Sequence, residues 1–146
     1  MHMNSMYISS ILLAVISISV CGNVWAMEHA VSQNELQDDL DGLLYNAILD
    51  KSAYGLSRVQ DLLARGANPK AQFYYGRTAL HRAALCNPWV IQLLIDNGAG
   101  VNAEDEGKET ALHLAACGND KEHLSIVQTL IKAQAEVNTQ NKHGYT

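Results

Sequence analysis

The chain has 146 residues, 48% of them hydrophobic, and a net charge of −5. This length and apolar content suit one folded domain and exclude a disordered chain. The negative balance argues against a nucleic-acid binder or a protein held at anionic lipid by charge.

The first element is Tyr7 to Val20 (YISSILLAVISISV), an uncharged apolar run with the length of a secretory h-region. Val24 and Ala26 put small residues at the −3 and −1 places for cleavage before Met27. Residues 1–26 are therefore expected to be a signal peptide, which makes the mature protein secreted or periplasmic. The n-region is weak, with His2 as its one basic side chain. Left uncleaved, the stretch carried on to Trp25 approaches the ~20 residues of a bilayer span and would anchor the chain in a membrane. Cys21 also raises lipidation, to which Val20 before it is a poor fit. Residues 27–38 read as a polar linker.

From residue 39 to 146 one unit recurs. GRTALHRAAL followed by VIQLLIDNGAGVNAED aligns with KETALHLAAC followed by IVQTLIKAQAEVNTQN, and HGYT opens another copy at the end. A degenerate copy precedes them, with Leu43 to Leu49 as its first half and LSRVQDLLARGANPKA (56–71) as its second. The boundaries are a degenerate repeat at about 40–72, repeats at 73–104 and 105–140, and a truncated repeat at 141–146. A fixed period of this kind is the mark of a stacked-repeat architecture.

Within each unit, Thr78 and Thr110 suit helix N-caps. The pairs Ala83/Ala84 and Ala115/Ala116 keep the first helices thin enough for close packing. Asn87-Pro88 reads as N-cap and first helical residue. Val90, Leu93 and Leu94, and then Ile126, Val127, Leu130 and Ile131, fall on one helical face and are expected in the core. Gly66 and Gly98 suit the positive φ that closes a helix. Gln134 stands where that glycine belongs in the last full repeat, and Lys108 stands where Gly76 and Gly144 sit in the turns. That repeat is expected to be the softer one, unless Gly107 absorbs the turn strain.

These residues resemble the ankyrin repeat: T-A-L-H for its T-P-L-H, the paired alanines, the aliphatic second helix, then G-A-x-V-N. The resemblance covers about residues 40–146. It implies an all-α solenoid of helix-turn-helix units with protruding β-turns, about three helix pairs plus the start of a further repeat. Its usual activity is protein binding on the turn tips and on the facing side of the first helices. The alternative expectation is a structural or assembly element, either a fragment of a longer ankyrin array or a chain that self-associates through an uncapped C-terminal face.

His81 and His113 first suggest a metal or acid–base pair, but each belongs to its own repeat, and a shared zinc needs nitrogens ~2 Å from the ion. The resemblance implies a structural role for both, bonding turn backbone between repeats. His29 falls in the polar segment, His123 in an interhelical loop and His143 in the last turn, none with a ligand partner at i+3 or i+4. Glu104, Asp105, Glu106 and Glu109 lack calcium-loop spacing and read as a solvated acidic turn. No nucleophile, phosphate-loop or metal motif is present. No catalytic residue, metal, cofactor, nucleic acid or small-molecule substrate is therefore expected. Cys86 and Cys117 end similar helices; packed helices lie roughly 8–10 Å apart, beyond the ~7 Å Cα limit of a disulfide, so two half-buried free thiols are expected.

The departure from the repeat is QFYYGR (72–77), which gathers the single phenylalanine and two of the six tyrosines into one turn. Aromatics and arginine dominate binding hot spots. Phe73, Tyr74, Tyr75 and Arg77 are the leading contact candidates for a protein partner, with Phe73 alternatively tucked back against the first repeat. Carrying over the ankyrin binding face adds Leu85, Glu106 and Glu109, with Cys117 less firmly placed. The resulting hollow is expected to be aromatic and basic at one turn and acidic at the next.

Overall fold

The computed structural model describes residues 39–146. The expected signal peptide and linker, with Cys21 and His29, lie outside the described residues. The described part holds six helices and no strand: α1 over residues 39–47, α2 Ala53–Ala64, α3 Ala79–Cys86, α4 Ile91–Asp96, α5 Ala111–Ala116 and α6 Lys121–Lys132. They form an all-α solenoid of three helix pairs followed by the opening turn of a further repeat. None of the described helices is long and apolar enough to cross a membrane.

Side chains at the helix starts satisfy backbone donors that have no partner inside the helix. Ser52 Oγ accepts from Gly55 N–H at 3.1 Å, and Asp120 Oδ1 accepts from His123 N–H at 2.9 Å. Asn87 caps a 3₁₀ turn at Pro88–Val90 that leads into α4, its Oδ1 accepting from Trp89 N–H at 3.2 Å. Its buried amide also donates to Ile48 O at 2.9 Å, so one side chain starts the second helix of one repeat and closes the first helix of the repeat before. His123 proves to be in the first turn of α6 and not in a loop: helix begins directly after its N-cap Asp120, whose carboxylate accepts from both the backbone and Nδ1 of His123.

The helix ends repeat almost atom for atom. Gly66 N–H donates to Leu63 O and Ala67 N–H to Leu62 O; Gly98 and Ala99 do the same to Ile95 and Leu94, and Gln134 and Ala135 to Ile131 and Leu130. This closure needs a left-handed residue, taken by Gly66 at φ 96°, Gly98 at φ 89° and the non-glycine Gln134 at φ 66°.

The core runs continuously through the stack, with Ile48, Val59, Leu80, Ile91, Leu94 and Leu130 wholly buried between the small faces of Ala83, Ala84 and Ala115. Three expected core positions differ. Leu93 is half-buried. Val127 is half-buried and Ile131 is 48% exposed, because nothing among the described residues packs on the outer side of α6. Cys86 is half-buried and Cys117 exposed, both as free thiols; Cys117 falls just past the end of α5, outside the packed face.

Candidate interaction surface

Three turns stand in a row beside the helices. In the first, Phe73 N–H donates to Arg77 O and Gly76 N–H to Phe73 O; Asp105, Lys108 and Glu109 repeat the pattern in the second, and Asn141, Gly144 and Tyr145 in the third, each bond 2.9 Å long. The turns are also bonded to one another, Glu106 N–H to Tyr75 O and Lys142 N–H to Gly107 O, both at 2.9 Å. The row is a short backbone ladder and not a set of independent loops. The left-handed position the three turns share is taken by Gly76 at φ 71°, Lys108 at φ 57° and Gly144 at φ 79°. Gly107 does not absorb the strain at the middle turn; Lys108 itself takes it.

The second and third turns are braced from inside by a short polar side chain. Asp105 Oδ1 accepts from Gly107 N–H at 2.7 Å and from Glu109 N–H at 2.9 Å; Asn141 Oδ1 accepts from His143 N–H at 3.0 Å and from Tyr145 N–H at 3.1 Å. Phe73 occupies the same place in the first turn and cannot make these bonds. Instead it turns back on the first repeat, its ring centroid 4.5 Å from that of Tyr45. The Arg82 guanidinium also packs on Tyr45, 4.2 Å from the ring centroid, an arrangement favoured by the ring quadrupole. Phe73 is thus half-buried packing and not a presented contact.

Arg77 does not lend the surface a free positive charge. Its Nε donates to Asp105 Oδ2 at 3.2 Å and its Nη2 lies 3.7 Å from Glu109 Oε2, tying the first turn to the second. Asp105 is only 8% exposed, so the expected solvated acidic cluster is corrected: this carboxylate is an internal strut. Burial works to raise the Asp105 carboxyl, but hydrogen bonds from Glu109 N–H, Arg77 and Gly107 N–H together outweigh it and hold the group below its usual range. The expected sequence of a basic turn and then an acidic one is largely cancelled by these pairs.

The two histidines do matching work. Thr78 and His81 close a capping box at the start of α3, and Thr110 and His113 another at the start of α5. Thr78 N–H donates to His81 Nδ1 at 3.2 Å, and His81 Nε2–H donates to Glu109 O of the next turn at 2.9 Å. Thr110 N–H and Tyr145 O stand in the same relation to His113, at 3.1 Å each. Accepting at Nδ1 while donating at Nε2 requires the neutral ring. Burial agrees with this, pushing the His81 pKa below its ordinary value against the pull of Glu109 O and Asp105.

What remains presented is aromatic and apolar. Tyr74 is 82% exposed and Tyr75 73%, at the tip of the first turn, and Tyr75 holds left-handed backbone at φ 62°. Leu85 and Glu106 are exposed and Glu109 is half-buried. Leu49 and Cys117 occupy the position of Leu85 in their own repeats, two residues beyond Ala47 and Ala115 as Leu85 is beyond Ala83, and both are exposed. Sequence reasoning missed Leu49, Tyr45 and Arg82. The signal was available for Tyr45, which aligns with His81 once Ala47 is set against Ala83.

Comparison with known proteins decides the family. The model of the ankyrin repeat, in three copies, matches residues 44–141. The chain belongs to the ankyrin-repeat family. It is 41% identical over 107 residues to ankyrin repeat and SOCS box protein 6 of Homo sapiens, covering 69% of this chain and 24% of that protein. It is 34% identical over 97 residues to E3 ubiquitin-protein ligase KEG of Arabidopsis thaliana, covering 65% of this chain and 6% of the ligase. Alpha-latrotoxin-Lg1a of Latrodectus geometricus is 33% identical over 105 residues, covering 69% and 8%. The chain thus spans about a quarter or less of each relative's length, and what they share with it is the ankyrin repeat. Ankyrin repeats are a non-catalytic fold that generally mediates protein–protein interaction. Among the described residues no group of three or more His, Cys, Asp or Glu is arranged to hold a metal ion.

Proposed function

We propose that this chain is an exported, non-catalytic binding module whose protein partner meets the tyrosine-bearing turn and the exposed column at Leu49, Leu85 and Cys117. The observation that carries the reading is Tyr75. Its equivalents are Gly107 and His143, and a glycine would take the φ of 62° freely, whereas a bulky residue there costs roughly 1–2 kcal/mol. Gly107 and His143 are not left-handed, so the strain at Tyr75 belongs to this turn alone, unlike that at Lys108 and Gln134, and supports a functional reading. The turn carrying it is bonded within itself and to the next turn, so the backbone that presents its two phenol rings is fixed before binding. With Arg77 and Asp105 occupied by each other, affinity comes from the rings and the aliphatic column, and exposed Glu106 tunes association at the rim.

Under this reading residues 1–26 are the export signal, 27–38 a linker and 39–146 the binding domain; the protein is secreted or periplasmic, or membrane-anchored if the leader stays attached. Affinity capture from extract with the mature chain, Met27 to Thr146, tests it. A Tyr74→Ala/Tyr75→Ala variant should lose the partner retained by the parent at least tenfold. Equal recovery by the two would remove this turn from the interface.

A further inference from the structure

We infer, building on the binding face at the tyrosine turn and the Leu49, Leu85 and Cys117 column, that Arg82 is the polar anchor of that face. Its guanidinium takes an aspartate or glutamate carboxylate of the partner protein, flanked there by apolar side chains.

The four arginines differ in how their charge is met. Arg65 pairs with Asp61, Arg77 pairs with Asp105 and Glu109, and Arg58 is exposed to water. Arg82 is drawn half into the structure, yet among the described residues no carboxylate or other acceptor meets its guanidinium, and its Nε is buried without a partner. A buried N–H of a charged group costs free energy when it is left unpaired. The position itself does not require a cation. One residue before Ala47 and Ala115, as Arg82 is before Ala83, stand Asn46, which is exposed, and Leu114, which is buried. A neutral side chain serves in both other repeats, so the charge at Arg82 is a departure that packing does not account for.

The guanidinium lies 4.2 Å from the Tyr45 ring centroid, and the Tyr45 ring meets Phe73 at 4.5 Å. Phe73 directly precedes Tyr74 and Tyr75, and Leu85 follows Arg82 by three residues on the same side of α3. The cation is therefore joined through Tyr45 to the base of the tyrosine turn and shares a helix face with the exposed column. Stacking on Tyr45 orients the guanidinium plane. Its Nη groups carry no hydrogen bond and are not enclosed, which leaves them for a carboxylate in the paired geometry that a guanidinium favours.

A single uncompensated cation suits a single carboxylate. A phosphate dianion asks for more positive charge than this, but Arg77 is already taken, and Glu106, whose N–H bonds Tyr75 O, sets a further anion beside the tyrosine turn.

The test selects a phage-displayed library of random peptides on the full chain, then compares binding of the enriched peptides to the parent, Arg82→Gln, Arg82→Lys and Tyr74→Ala/Tyr75→Ala. Enriched peptides should carry Asp or Glu beside apolar residues. Changing that acid to its amide should weaken binding to the parent roughly tenfold or more and leave binding to Arg82→Gln unaltered, because both changes remove the same contact. Arg82→Lys, which keeps the charge but not the fork, should recover part of the affinity, and Arg82→Gln should unfold in urea at about the parent's midpoint. Enriched peptides without an acid, or with one that can be amidated without loss, overturn the proposal. So does equal sensitivity to amidation on the parent and on Arg82→Gln, or tighter binding when phosphoserine replaces the acid. Loss on Tyr74→Ala/Tyr75→Ala with none on Arg82→Gln overturns the anchor and keeps the binding face; equal binding by the parent and all the variants overturns both.

Discussion

The ring of Phe73 lies with its centroid 4.5 Å from that of Tyr45, joining the first turn to the first repeat. Elsewhere a histidine at the Tyr45 position bonds turn backbone, and an aspartate or asparagine at the Phe73 position braces the turn from within. Here both polar devices are replaced together by one aromatic contact. Phe73→Ala should lower stability by about 2 kcal/mol, and a double-mutant cycle with Tyr45→Ala should show ~0.5–1.5 kcal/mol of coupling. Additive losses in chemical denaturation would mean that the rings act independently.

Stability and binding should part company at Tyr75. Replacing it with glycine relieves a left-handed residue and should raise stability by about 1 kcal/mol, while partner recovery falls. A Tyr75→Gly protein that is no more stable, measured by urea titration, would contradict the account of the strain.

His81 sets an acid-side limit on stability. Its folded pKa lies below the unfolded value of 6.5, so between the two the unfolded chain binds more protons and unfolding free energy rises with pH. The contribution is complete above pH 6.5 and is lost as pH falls toward the folded pKa. His81→Gln, which cannot titrate, should flatten the dependence of stability on pH below 6.5 relative to the parent. His81→Ala should cost about 2–3 kcal/mol at pH 7.5, because Thr78 N–H and Glu109 O lose their partner in the interior.

Asp105 and Asn141 brace equivalent turns, so Asp105→Asn should retain the Oδ1 bonds and cost only about 1 kcal/mol, whereas Asp105→Ala should cost about 2–3 kcal/mol. Asp105 stays below 3.8 in the fold; its contribution is therefore present above pH 3.8 and is lost as pH falls through the folded value. Thermal melts of the two variants at neutral pH, and of the parent between pH 5 and 3, check both statements.

The third repeat should be the least protected. Lys108 and Gln134 each hold a positive φ where the second repeat has glycine, and the outer face of α6 is uncovered. Gln134→Gly should add about 1 kcal/mol. Amides across 110–134 should exchange faster than those across 78–98, and equal protection would refute the ranking.

The repeat, its helix pairs and the glycine and threonine positions were legible in the chain because each rests on local chemistry: caps, left-handed turns and a helical period that short segments carry by themselves. The positive φ at Lys108 and Gln134 could be read from alignment alone, since a missing glycine does not change the bond pattern that neighbouring copies impose. What the tertiary structure decided is which of the unusual side chains are free. Phe73 packs on Tyr45, Arg77 is held by Asp105 and Glu109, Asp105 is interior and Ile131 is not. Each of those outcomes depends on a residue in another repeat, roughly 28 or more positions away for the first three and on an uncovered helix face for the last. Local pattern says that a phenylalanine or an arginine is out of place in a turn; only the neighbour across the stack determines whether it is buried, paired or presented.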